Sequence, residues 1–236
     1  MYGRNPVREA LRGRRARAVT QVWASAAAAH EPWLSGVQTK VCDADELERL
    51  CGSSFHQGVC AQAGGYPYVG AHELLGVDSP LIVALDQVQD PQNLGSICRT
   101  SECAGATGLV IAERRAAEVT PAVCKASAGA VEHVRIARVR NIADFLGEAR
   151  EAGCWSYGAS ADGQTVSYTA PDYRGGVVLV LGSEGHGLRP RVAGACDQLV
   201  ALPLHGRIES LGVAAAASAL LYGILQGRGA DLDKTP

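Results

Sequence analysis

Leu81-Ile-Val-Ala-Leu-Asp-Gln-Val-Gln-Asp-Pro-Gln-Asn-Leu-Gly-Ser-Ile-Cys-Arg99 is a strand, a break and a helix in one short stretch. The apolar run 81–85 leaves no polar face, as in a strand covered on both sides. Asp90-Pro91 breaks the run, and a helical pattern follows with Asn93 in its opening turn and Arg99 further along. Helical steps of about 100° put Asn93 and Arg99 on different faces, so a site shared by both needs Asn93 at an irregular loop end. Outward from this unit the alternation repeats. Strands are expected at 81–85, 108–111, 133–138, 154–159, 177–181 and 198–202, which implies an α/β fold with a mostly parallel sheet between helices.

Two later segments share the logic. In Val177-Val-Leu-Val-Leu-Gly-Ser-Glu-Gly-His-Gly-Leu-Arg-Pro190 an apolar strand enters a loop with three glycines that carries Glu184. By itself this Glu reads as a solvated turn residue. Leu202-Pro-Leu-His-Gly-Arg-Ile-Glu-Ser-Leu-Gly-Val213 runs from a strand end into an Ala-rich helix. Free N–H groups at a helix start suit a ligand, although Ser210 serves equally well as a plain N-cap.

The N-terminal part shows a smaller α/β pattern. A helix is expected over 5–13 with Pro6 in its first turn, and strands over 20–25, 37–42 and 57–62. A capped acidic helix starts at Asp43. Ala63-Gly-Gly-Tyr-Pro-Tyr68 reads as a linker by its Gly and Pro content. The expected division is a small N-terminal domain over 1–64, a linker over 65–79, a second domain over 80–228 and a tail over 229–236.

The 236-residue chain has a net charge of -2, yet Arg4, Arg8, Arg12, Arg14, Arg15 and Arg17 crowd its start against the single acid Glu9. Such a basic arm reads as a phosphate contact, the bland alternative being a solvated helix face. Eight cysteines form no Cys-x-x-Cys pair and no zinc-like cluster, so no metal site is expected. No signal peptide or membrane-length apolar run stands out, and the expected compartment is the cytoplasm. A nicotinamide dehydrogenase would need Gly-x-Gly-x-x-Gly after the first strand, and Asn93-Leu-Gly95 is not that fingerprint.

In order, these segments resemble the SpoU/TrmH family of RNA 2′-O-ribose methyltransferases, of the knotted SPOUT class. The motifs are Asn93-Leu-Gly95-Ser-Ile-Cys-Arg99, then Gly182-Ser-Glu184-Gly185, then Pro203-Leu-His-Gly206 with Ser210-Leu211-Gly212-Val213. Tyr2 to Leu11, His56 to Ala61 and Ser127 to His133 are also similar to the family, especially its ribosomal-RNA branch. The resemblance implies an N-terminal RNA-binding domain, a deep trefoil knot in the last strands and helix, S-adenosylmethionine as cofactor, and a homodimer. The implied substrate is large-subunit ribosomal RNA, with tRNA as runner-up.

Carried over, the cofactor-binding positions are Gly182, Leu202 and Leu211, with Pro203 and Gly206 nearby. Gly182 suits a close main-chain approach, and the two leucines sandwich an adenine unless they are ordinary core. Arg99, Asn93, Glu184 and Ser210 are the implied catalytic residues. Stripping a guanidinium of its proton at neutral pH costs roughly 7–9 kcal/mol. Arg99 therefore reads as a clamp on phosphate and developing alkoxide, the proton leaving late or through water. Asn93 and Ser210 hydrogen-bond the ribose or the cofactor carboxylate, and Glu184 pairs with Arg99 or holds Asn93. Gly212 stands where the family usually has Asn. A first-turn glycine is well tolerated, so the loss is expected in chemistry and an RNA-binding relative with weakened catalysis is the alternative. His205 and Glu209 are the candidates to replace the missing amide.

Overall fold

The computed structural model describes residues 1–161, 163–208 and 210–229. The chain opens with α1 (Arg4–Arg12), β1 (Val19–Ala24), β2 (Thr39–Val41), α2 (Ala44–Cys51) and β3 (Val59–Ala63). It continues through α3 (Ala71–Leu75), β4 (Leu81–Leu85), α4 (Pro91–Cys103), β5 (Gly108–Ala112), α5 (Pro121–Ala126), β6 (Ile136–Val139) and α6 (Ile142–Glu151). The last part holds β7 (Cys154–Ala159), β8 (Val166–Ser167), β9 (Gly176–Leu181), α7 (Pro190–Ala193), β10 (Gln198–Ala201) and α8 (Val213–Gly227).

Seven strands form one sheet in the order β6-β5-β4-β9-β7-β10-β8, and every ladder in it is parallel. Parallel neighbours need crossovers, which carry helices to both faces. The alternation along β4 shows the result. Leu81, Val83 and Leu85 join a core with Leu94 and Ile97 of α4, Val123 of α5 and Leu221 of α8. Ile82 and Ala84 point the other way, to Leu74 of α3, Phe145 of α6 and Val192 of α7. The strands read as continuous apolar runs because both faces are covered.

The N-terminal sheet has the order β2-β1-β3, with β1 parallel to β2 and antiparallel to β3. Val7 of α1 packs into its core with Val22, Ala24, Val59 and Ala61.

Three expectations shift. The strand expected at 133–138 begins at Ile136, because Ala130–Glu132 is a 3-10 turn whose Glu132 is fully buried. The stretch read as a linker is packed down: Tyr66 is buried and donates its hydroxyl to the Val134 carbonyl, Val69 bridges Ala137, and Leu74 is fully buried. The arginine-rich start is not one uniform arm either. Arg15 is buried and pairs with Glu132 through Nε–Oε2 at 2.8 Å, while its other nitrogen also reaches Cys124. Arg4 pairs with Glu31 and Arg8 with Glu9, which leaves Arg12, Arg14 and Arg17 as exposed cations without a side-chain partner among the described residues.

The expected tail lies, Gly229 apart, outside the described residues, as does Glu209. Among the described residues no helix is long and apolar enough to cross a membrane, and no cluster of His, Cys, Asp and Glu would hold a metal ion.

Candidate functional site

Strands β4 and β9 run side by side with Leu85 opposite Leu181. Their following loops therefore emerge at one level, at the carboxyl edge where parallel sheets bind ligands. Between these loops lies a cavity of about 810 Å³. Gln87 to Asp90 come from the first loop, Ser183, Glu184 and His186 to Arg189 from the second, Asn93 from α4, Arg115 from the turn after β5, and Val213 from α8.

Asp86 and Arg189 fix the two loops to each other. The Asp86 carboxylate is fully buried at the end of β4. It accepts from the Arg189 backbone N–H at 3.0 Å and from Nε at 2.8 Å, with a second guanidinium nitrogen at 2.7 Å. A buried carboxylate is tolerable only with such charged, directional partners. Its signal in the sequence is an Asp flush against a wholly apolar strand. Gln87 and Arg115, also unforeseen, both have left-handed φ, 62° and 57°. Arg115 is exposed and has no partner among the described residues.

Of the residues singled out from sequence, Asn93 and Glu184 line the cavity. Asn93 sits inside α4, because Pro91 is its first residue and Asp90 caps it by accepting from the Gln92 N–H at 3.0 Å. It does not act from an irregular loop end. Arg99 lies beyond the cavity lining, exposed and without a partner among the described residues. The expected pairing of Glu184 with Arg99 or Asn93 is not made within this chain.

Glu184 tops a tight turn in which Ser183 and Gly187 exchange backbone hydrogen bonds at 3.1 and 3.0 Å. Gly182 stands directly beneath. A Cβ on it would lie 2.1 Å from the Gly187 carbonyl carbon and 2.4 Å from the Leu188 nitrogen. The close approach expected at Gly182 is that of the cofactor; within the chain the close neighbour is its own backbone.

The third segment is open. Pro203, Gly206 and Ser210 are exposed, Leu211 is 52% exposed, and Leu202 is half-buried against the large core. Among the described residues of 203–211, no backbone group pairs with another backbone group. Ser210 is not the helix cap: its Oγ accepts from the Gly212 N–H at 3.1 Å, and Gly212 itself is the N-cap of α8. Gly212 has φ 74° and ψ 150°, and a Cβ there would stand 3.7 Å from Glu184 Oε1. The third segment thus passes close to the second at Gly212. Behind α4, burial pushes the thiols of Cys98 and Cys124 up, which keeps them protonated and unfit as nucleophiles.

Residues 80–222 match the SpoU rRNA Methylase family, and residues 1–69 match the RNA 2′-O ribose methyltransferase substrate-binding family. An uncharacterized tRNA/rRNA methyltransferase of Synechocystis is 36% identical over 98% of this chain, which spans 63% of that relative's length. A putative TrmH family tRNA/rRNA methyltransferase of Bacillus subtilis is 40% identical over 73% of this chain and 71% of its own. In structure, the SpoU methyltransferase AviRb of Streptomyces viridochromogenes, solved with AdoMet, superposes with a TM-score of 0.81 at 25% identity, covering 98% of this chain and 90% of that one. An AdoMet-bound rRNA methyltransferase of Sinorhizobium meliloti gives 0.81 at 26% identity, covering 96% and 86%.

Proposed function

The chain belongs to the SpoU family of RNA methylases, and from that premise we propose that it transfers a methyl group from S-adenosylmethionine to a ribose 2′-hydroxyl of RNA. One observation carries the proposal. The carboxyl-edge cavity is built where the first two motif segments meet, and the third, whose described backbone groups over 203–211 pair with no other backbone group, lies against it at Gly212.

The site suits such a cofactor. An 810 Å³ cavity has the size of a small-molecule site. Beside it are the Glu184 carboxylate, without a partner among the described residues, exposed apolar area on Leu211, and main-chain donors and acceptors of 203–208, 210 and 211 that pair with no other described backbone group. Leu202, Pro203, Gly206 and Leu211 would hold the adenosine, with Gly182 shaping the turn beneath. When bound, the cofactor supplies an electrophilic methyl group.

The chain's own residues do the rest. Asn93 and Ser210 orient the ribose, and Glu184 places negative charge beside the reacting centre. Arg99 grips a phosphate and the developing alkoxide with its planar fork, and the hydroxyl proton leaves late to water. Because Arg99 lies outside the cavity lining within one chain, the complete site is proposed to form in a homodimer.

Residues 1–64 are proposed to bind the RNA, 65–79 to connect, and 80–228 to carry out transfer, with the family's trefoil knot between β9 and α8. Large-subunit ribosomal RNA in the cytoplasm is the favoured substrate, with tRNA second. Gly212 supports a second reading, an RNA-binding relative with weakened catalysis. Labelled methyl transfer to unmodified ribosomal RNA and tRNA transcripts, followed by mapping of ribose methylation, separates these. Transfer to neither, with S-adenosylmethionine bound, selects the second reading.

A further inference from the structure

We propose that a second cleft, between the N-terminal sheet and α4, holds one unstacked base of the RNA beside the methylated nucleotide, with Phe55 as stacking platform and Lys125 as phosphate contact. The inference rests on the reading of the chain as an RNA methyltransferase and adds where a flanking nucleotide is recognised.

The cleft has a volume of about 520 Å³ and is lined by Tyr2, Ser54, Phe55 and Gln57 on one side and by Gln92 and Lys125 on the other. The chain has two phenylalanines. Phe145 is 1% exposed in the core, whereas Phe55 is 75% exposed at this cleft. A bare aromatic ring beside a cation is what an unstacked base uses: the ring faces pair, and the charge meets the phosphate. Lys125 is one of three lysines in the chain. Its amine donates to the Phe55 carbonyl at 3.0 Å and stands 5.9 Å from the Tyr2 ring centroid.

Burial lowers the Lys125 pKa, a desolvation cost that a bound phosphate would offset. The wall is also held in an uncommon backbone shape. Gln57 has φ 55°, and its carbonyl and Oε1 accept from Arg4 Nε at 3.4 Å and Arg4 N–H at 3.2 Å. Left-handed non-glycine residues cluster at binding sites, where the surroundings fix them.

Two further observations favour an RNA strand. Among the described residues no carboxylate lines this cleft, so a polyanion meets no lining charge of its own sign there. Gln92 of the cleft and Asn93 of the cavity are consecutive residues of α4. The two sites therefore share one helical turn. A target ribose at Asn93 leaves its neighbour beside Gln92, whose amide can read a base edge.

The test uses the full chain and a single-stranded oligoadenylate carrying one 2-aminopurine, followed by anisotropy and by quenching of the fluorescent base. Phe55→Ala is expected to bind roughly ten-fold more weakly and to lose quenching. Phe55→Trp should bind within about two-fold of the parent, since it keeps a stacking face. Lys125→Gln should lower the salt slope by about 0.7, one phosphate contact on a single strand. Phe55 is 75% exposed and belongs to no core cluster, so melting temperatures and S-adenosylmethionine affinity should stay at parental values. Parental binding and quenching by Phe55→Ala would overturn the cleft. If the parent neither binds S-adenosylmethionine nor methylates RNA, yet quenching still depends on Phe55, the cleft stands and the methyltransferase reading falls.

Discussion

Gly212 occupies a backbone region closed to residues that carry a Cβ. Sequence suggested a tolerant first-turn position, because a propensity argument has no access to ψ; the angles instead make this glycine a requirement of the loop. Gly212→Asn is therefore expected to cost about 1–3 kcal/mol and to give no gain in kcat. Paired thermal melts and methyl-transfer rates check this, and a faster enzyme with an unchanged melting temperature would contradict it. Gly182 has a close main-chain neighbour in Gly187, the chain's own backbone, where the resemblance implied the cofactor. Gly182→Ala should pry open the Ser183–Gly187 turn and weaken S-adenosylmethionine binding while the circular dichroism spectrum stays native. Calorimetry with the cofactor decides, since an unaltered Kd would mean that the turn is irrelevant to the site.

Among elements, the central strands were legible because burial on both faces leaves an unmistakable apolar run, as in β4 and β9. The two-residue β8 and four-residue α7 carry too few side chains for any period to register. Tyr66 and Leu74 were hidden within a stretch rich in Gly and Pro. Side-chain ties between elements were equally invisible. Asp86→Asn should loosen the hold of β4 on Arg189 and the α7 entry, costing about 3–5 kcal/mol as a broken buried pair. Denaturant midpoints measure the loss, and a shift within error would make the pair ornamental.

A second tie joins β7 to the start of β10. Asp197 accepts from the Ser156 N–H at 2.8 Å and hydroxyl at 2.6 Å, and from Arg150 Nε at 2.8 Å. Burial pushes the Asp197 pKa up, but the hydrogen bonds from Ser156 and Arg150 prevail and hold it below the ordinary value. Its stabilisation is thus present above the unfolded carboxyl pKa and fades as pH falls through the lower, folded one. Asp197→Asn should flatten the acid limb of the stability curve and leave its alkaline side parallel to the parent's.

At the scale of the whole molecule, the arginine-rich start divides by partner. Arg15 belongs to the interior, and Arg12, Arg14 and Arg17 face solvent. Replacing the last three by Ala is expected to lower the salt slope of RNA binding by up to about 2, if each meets one phosphate of a single strand. A slope equal to the parent's would make them plain solvated surface. Composition showed the cluster but not its partition, because Glu132 lies 117 residues away in sequence. Glu132→Gln should destabilise both sheets together, seen as one shifted transition rather than two in calorimetry.

That separation also sets an order in time. Arg15 leaves the ribosome long before its carboxylate is made: 117 residues at about 5–20 residues per second amount to roughly 6–23 s of synthesis. Throughout that interval a guanidinium destined for the interior must stay in water, so α1 and its sheet cannot dock in final form as they emerge. Protease pulses on stalled nascent chains should find the Arg15 segment cleavable until Glu132 has cleared the exit tunnel, and protected afterwards. Early protection would mean that the first sheet matures without its partner.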